Sequence, residues 1–177
     1  MRLAEREVKD RELIKAVLDM CDVLNIAFFD DEYPYNLPVN FGYEFEHDLI
    51  FYCHHARDGY KNALVENHPK VCVLTHRFID HAYNSYDQSN HDYRSVMAFG
   101  EISFIDPHSD EYLKAWQALT SCNARTVPDR VLEPKFRFET IRMSKIVCMP
   151  EKVFCKAQRI IRSPEQLPFR DDPRTDS

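Results

Sequence analysis

Cys53-His-His-Ala-Arg-Asp-Gly-Tyr-Lys-Asn62 stands where a strand should end and a helix begin. Upstream, Leu49-Ile-Phe-Tyr-Cys-His54 consists of β-formers throughout and predicts a strand. Downstream, Gly59 to Asn67 predicts a short helix, stopped by Pro69 because proline cannot continue the ladder. At such a corner the first helical N–H groups lack intrahelical partners, and the positive end of the helix dipole points outward. Arg57, Lys61 and the two imidazoles of His54 and His55 add up to a compact donor cluster suited to a phosphate, with Gly59 supplying the turn. The same residues would also suit a surface corner whose charges are merely solvated. Chemistry alone leaves both readings open.

Outward from this corner the chain reads mainly as strands. Asp10 can cap a helix to about Cys21, because Leu13, Ile14, Val17, Leu18 and Cys21 recur at helical spacing. Val23 to Phe29 reads as a strand, and Tyr33 to Tyr43, with Pro34 and Pro38, as an edge or bulged strand. Val71 to His76 and Tyr93 to Ile105 are further strands, separated by a polar stretch from Arg77 to Asp92 that reads as a long loop. Ser109 to Cys122 predicts a helix with Tyr112, Leu113, Trp116 and Leu119 on one face. Thr140 to Met149 and Val153 to Arg159 read as a closing pair of strands. Strands in runs with few helices between them indicate an antiparallel sheet, and six or seven in one domain tend to close into a small barrel. One domain over residues 1–162 is expected, followed by a polar tail over 163–177, disordered or draped.

Composition removes several classes. A formal charge of -6 argues against a general nucleic-acid binder. Three glycines among 177 residues exclude Rossmann and P-loop sites, which need several in one short loop. No apolar run is long enough for a membrane span, and the first ten residues lack the apolar core of a signal peptide. A cytoplasmic protein is expected, with its six cysteines as thiols. Cys21, Cys53, Cys72 and Cys148 lie in apolar segments, and no Cys-x-x-Cys pair is present, so structural core thiols are the expectation and no metal site is assigned. His76, His81 and His91 lack helical ligand spacing and read as solvated loop residues. Trp116 reads as core.

Two further clusters join the corner. Leu37-Pro-Val-Asn-Phe-Gly-Tyr43 leaves main-chain groups free that a planar ring could take up, or is an edge shaped against aggregation. Tyr93-Arg-Ser-Val-Met-Ala-Phe-Gly100 offers a guanidinium and a hydroxyl at a strand start, or a snorkelling Arg on a half-buried strand. Together, Asn40-Phe41-Gly42, then His54-x-Ala56-x-x-Gly59-x-Lys61, then Tyr93-Arg94-Ser95-Val96-x-x-x-Gly100 resemble the pyridoxamine 5′-phosphate oxidase-like flavin-binding split barrel. More narrowly, they are similar to the branch that includes the nitroimidazole-resistance proteins. The resemblance covers about Met1 to Asp106 in order and spacing.

The resemblance implies a mainly β fold, a six-stranded antiparallel split barrel with peripheral helices, forming a homodimer with FMN at the subunit interface. Pro38, Val39, Asn40 and Phe41 would lie along the isoalloxazine. His54, His55, Ala56, Gly59 and Lys61 would surround the ribityl phosphate, with Arg94 and Ser95 nearby. The family often has Ser where this chain has His55 and a basic residue where it has Tyr60. A charged His55 as phosphate donor would make affinity fall above about pH 6.5. The Arg/Trp/Pro-rich substrate segment of the name-giving enzyme is not found in Arg137 to Ser177, so its substrate is not expected.

Three functions follow. The first is an FMN-dependent reductase acting on a small electron-poor acceptor, a nitroaromatic or quinone, with NAD(P)H binding transiently as reductant. The second is haem binding or degradation, with His54 or His91 on iron. The third is a flavin sensor or store without turnover. No catalytic residue is assigned.

Overall fold

The computed structural model describes residues 4–83, 89–124 and 140–157. After a 3-10 turn at Ala4–Arg6 come β1 (Glu7–Val8), α1 (Arg11–Asp19), β2 (Leu24–Phe28), β3 (Tyr35–Val39), β4 (Gly42–Phe45) and β5 (Leu49–Ala56). Then follow α2 (Tyr60–Asn67), β6 (Lys70–Tyr83), β7 (Ser89–Phe104), α3 (Asp110–Ala124) and β8 (Ile141–Ala157). Strands dominate, as the sequence pattern predicts. Within the sheet the order is β3-β2-β6-β7-β8-β5-β4, with β1 beside β8.

Three expectations need correcting. The stretch Tyr33–Tyr43 is two strands: β3 pairs with β2 (Leu24↔Val39 to Phe28↔Tyr35), whereas β4 pairs with β5 (Gly42↔Tyr52 to Phe45↔Leu49). The chain changes partner at Asn40-Phe41, where Phe41 turns inward onto Phe51, ring centroids 5.5 Å apart. The described residues form eight strands, against the six that the resemblance implies. Second, the polar stretch expected as a loop is largely strand, since β6 runs to Tyr83 and β7 begins at Ser89. Residues 77–79 are half-buried or exposed, so polarity there records solvated faces and hides the period of two. Third, the closing pair is one strand, β8, running through Pro150. Its ladder with β5 ends at Val147 and its ladder with β1 starts at Cys155, so on that edge Pro150 lies between ladders.

The chain resolves into two compact units, one of residues 1–21, 75–96 and 154–177, the other of 22–74 and 97–153. Residues 163–177, expected as a tail, lie outside the described residues. In the first unit Asp10 caps α1, its carboxylate accepting from the Leu13 N–H at 3.0 Å. Leu13, Ile14, Val17 and Leu18 form the buried face of α1, and Cys21 and Cys155 are buried free thiols. In the second unit α3 packs on β4 and β5, and Tyr112, Ala115 and Leu119 join Tyr52, Ile105 and Met143 in one core, with Trp116 against it. Leu113, expected on that face, is exposed, and Ala115 takes the place. The approach is close because β4 opens with glycine: a Cβ on Gly42 would collide with the Ala118 backbone.

Candidate functional site

β5 explains why the corner is accessible. From Leu49 to Cys53 it is covered on both faces, since α3 sits over Tyr52, but His54 and Ala56 emerge beyond that cover. The chain then turns through Arg57-Asp58-Gly59 into α2. The Arg57 N–H donates to the Thr140 carbonyl at 3.2 Å, tying the turn to the chain just before β8. The Asn62 N–H donates to the Gly59 carbonyl at 3.0 Å, and the Asn62 amide donates to the Arg57 carbonyl across the turn. Gly59 occupies the N-cap position at φ 147° and ψ 165° and offers no side-chain cap to the first turn. Apart from that of Asn62, the first-turn N–H groups receive no side-chain cap and suit another acceptor.

Lys61 is half-buried, and burial pushes its ammonium below the ordinary lysine value. Among the described residues no carboxylate forms an ion pair with it. Its charge acts on three neighbours. Partial burial and then Lys61 lower His54 from its usual value. Burial pushes the Cys53 thiol up to about 11, with Lys61 opposing weakly, so Cys53 is an inert core thiol.

His55 differs from the expectation. Successive strand residues face opposite sides, so His54 is exposed while His55 is 7% exposed. Its Nε2 shares a hydrogen bond of 2.7 Å with Ser144 Oγ, and its ring stacks on Phe104 with centroids 5.6 Å apart. Burial first, then Lys61, His54 and Arg142, lowers its pKa to about 3. Burial and the neighbouring positive groups thus favour the neutral imidazole of His55 at pH 6.5.

The depressed value has a consequence for stability. Between pH 6.5 and about 3 the unfolded chain protonates His55 while the folded chain does not. Stability is therefore complete above pH 6.5 and falls as the medium is acidified, by up to about 1.4 kcal/mol per pH unit. The expected result is that His55→Gln flattens the acid limb of urea-unfolding midpoints measured from pH 4 to 8. Parallel limbs for both proteins would contradict it.

The remaining sequence candidates divide. Pro38 and Asn40 are exposed and Val39 half-buried, but Phe41 is core. Ser95 and Arg94 belong to the other unit, where Ser95 is half-buried. Arg94 is 2% exposed, and its Nη1 donates to the Asp92 carboxylate. Its guanidinium thus has a carboxylate partner within its own unit. His76 is exposed, and the side chains of His81 and His91 lie outside the described residues. Among the described residues no helix is long and apolar enough to cross a membrane.

Against this geometry, residues 10–141 match the family model described as pyridoxamine 5′-phosphate oxidase. The chain belongs to the pyridoxamine 5′-phosphate oxidase family. No curated protein matches it. Among solved structures it is similar to a protein ascribed to 5-nitroimidazole antibiotic resistance from Bacteroides thetaiotaomicron, at 20% identity and TM-score 0.69, covering 85% of this chain and 86% of that one. It is also similar to a FAD- and haem-binding protein from Mycobacterium smegmatis, at 20% identity and TM-score 0.66, covering 89% and 76%. The haem-storage protein of Vibrio cholerae matches at 10% identity and TM-score 0.56, covering 83% and 94%. These likenesses carry the fold, the mainly β split-barrel class expected from the sequence.

Within this family member, Asn62, Phe104, Arg142 and Ser144 are neighbours of the corner that sequence reasoning missed. Asn62 straps the turn from inside the quoted stretch, and Asn so close to a glycine turn was a usable signal. The others come from β7 and β8, far along the chain, and only strand register brings them to His55.

Proposed function

We propose that this chain is a flavoprotein that holds FMN by its phosphate at the β5–α2 corner and reduces a small electron-poor acceptor of the nitroaromatic or quinone type. The observation that carries it is Lys61, a half-buried cation with no carboxylate partner among the described residues, beside His54 and an uncapped helix start. A phosphate carrying about two negative charges answers both needs. His54, Ala56, Gly59 and Lys61 would hold it, while Pro38, Val39 and Asn40 offer edge-strand main chain to the ring. Bound flavin would supply the electron transfer, and the protein would position and shield it. NAD(P)H would reduce the flavin transiently, since the sequence has no glycine-rich dinucleotide loop. The active form would be a cytoplasmic homodimer with flavin at the interface.

The absorption spectrum of freshly purified protein tests this directly. Flavin bands, with FMN released on denaturation, are expected; colourless protein that takes up no added FMN overturns the reading. A Soret band on haem titration that His54→Ala abolishes would favour haem instead, and the low pKa of His54 keeps a neutral imidazole available for iron. Lys61→Gln is expected to weaken FMN by about 10- to 100-fold, or about 1.5–3 kcal/mol. Riboflavin, which lacks the phosphate, should bind both proteins alike. Equal FMN affinity in the variant would place the phosphate elsewhere.

A further inference from the structure

A cavity of about 310 Å³ lies in the second unit between the end of β7, the start of β8 and the first turn of α3. Its walls are largely apolar: Phe104, Ile105, Ile141 and Met143. Two arginines are among its lining residues, Arg57 and Arg142. Strand register explains their convergence. Arg142 stands opposite His55 on the β5–β8 ladder, and the Arg57 N–H donates to the carbonyl of Thr140, two residues before Arg142. The Arg142 guanidinium lies 4.7 Å from the centroid of the Phe104 ring, which holds it over the apolar wall.

We propose that this cavity binds a small carboxylate with an apolar body, gripped by Arg142 and Arg57. The volume is near the lower end of the range for ligand pockets, about 300–1,000 Å³, which suits a benzoate-sized molecule rather than a whole dinucleotide. A bare inorganic anion would leave the apolar walls uncovered. The guanidinium fork matches the two oxygens of a carboxylate. Arg142 can turn to such a ligand cheaply, because its ion pair with Glu66 is long, at 3.8 Å, and open to solvent. One carboxylate also lines the cavity, that of Asp106, but its Oδ1 accepts the His108 N–H at 2.9 Å and is directed into its own turn. The local field favours an anion as well, since Arg142 is among the charges that keep the neighbouring His55 neutral.

Calorimetric titration of the full chain, as purified, with benzoate and with its neutral counterpart benzamide tests the proposal. Saturable benzoate binding at least tenfold tighter than benzamide is expected. Arg142→Gln should bring benzoate down to the benzamide level, Arg142→Lys should retain part of the difference, and Lys61→Gln should leave it unchanged. The proposal is overturned if neither benzoate nor 3-methylbutanoate binds saturably, or if benzoate and benzamide bind alike. Folded Arg142→Gln protein with unchanged benzoate affinity overturns it too, as does loss of benzoate binding in Lys61→Gln, which would place the anion at the phosphate corner. If Arg142→Gln does not fold, the contrast between the two ligands on the unmodified chain still decides.

Discussion

Gly59→Val is expected to weaken FMN binding by about 100-fold, at least as much as removing Lys61. The reason is conformational and not steric. A Cβ at Gly59 would meet no atom within 4 Å, so there is room for a side chain. The backbone, however, sits at φ 147° and ψ 165°, a region occupied essentially by glycine alone. An L-residue there stores about 1–3 kcal/mol of strain, and a β-branched one belongs at the upper end. The chain relieves that strain by moving Gly59, and with it the first N–H groups of α2 and Lys61 two residues on. Several phosphate contacts are then lost together. Asparagine, which often replaces glycine in ordinary left-handed turns, gives no relief at this φ and ψ, so Gly59→Asn and Gly59→Ala should both lose affinity. FMN titration of the three variants, with urea unfolding in parallel, checks this. Unchanged FMN affinity in Gly59→Val would remove the phosphate from this corner.

That glycine also shows what the sequence could carry. Three glycines in the chain are few enough for each to matter, and they matter for different reasons. Gly59 alone among the three has a positive φ. Gly42 lets α3 sit directly on β4, and a Cβ there would run into backbone. Sequence marked both positions as special, but the second reason depends on α3, more than sixty residues away, and only packing reveals it. The same division runs through the fold. Local patterns located α1, β2, β5 and α2 to within a residue or two, since caps, alternation and a stopping proline are short-range signals. The extensions of β6 and β7, by contrast, are polar, and the partner change at Asn40-Phe41 depends on where Phe51 lies. At the corner, residue types announced a place for an anion, whereas the opposite facing of His54 and His55 followed from strand alternation and α3. Had period two been applied to Cys53-His54-His55, the burial of His55 beside core Cys53 could have been read without coordinates.

Asp92→Ala is expected to destabilise the first unit by about 3–5 kcal/mol. Asp92 and Arg94 are each 2% exposed, and the Asp92 carboxylate accepts directly from Arg94 Nη1. Among the described residues Arg94 Nε has no acceptor, so the guanidinium depends heavily on that carboxylate. Removing the carboxylate leaves the Arg94 charge buried, with the Cys155 thiol among the groups it acts on. Removing both charges is a different matter: in Asp92→Leu/Arg94→Met the desolvation cost of the pair disappears with its attraction, and most of the lost stability should return. Urea unfolding of the single and double variants measures the difference. FMN titration of the double variant then decides what Arg94 does. Stability regained with FMN affinity intact assigns Arg94 to the core of its own unit. A stable double variant that no longer takes up FMN would return Arg94 to the phosphate and make its pairing with Asp92 a state that flavin binding breaks.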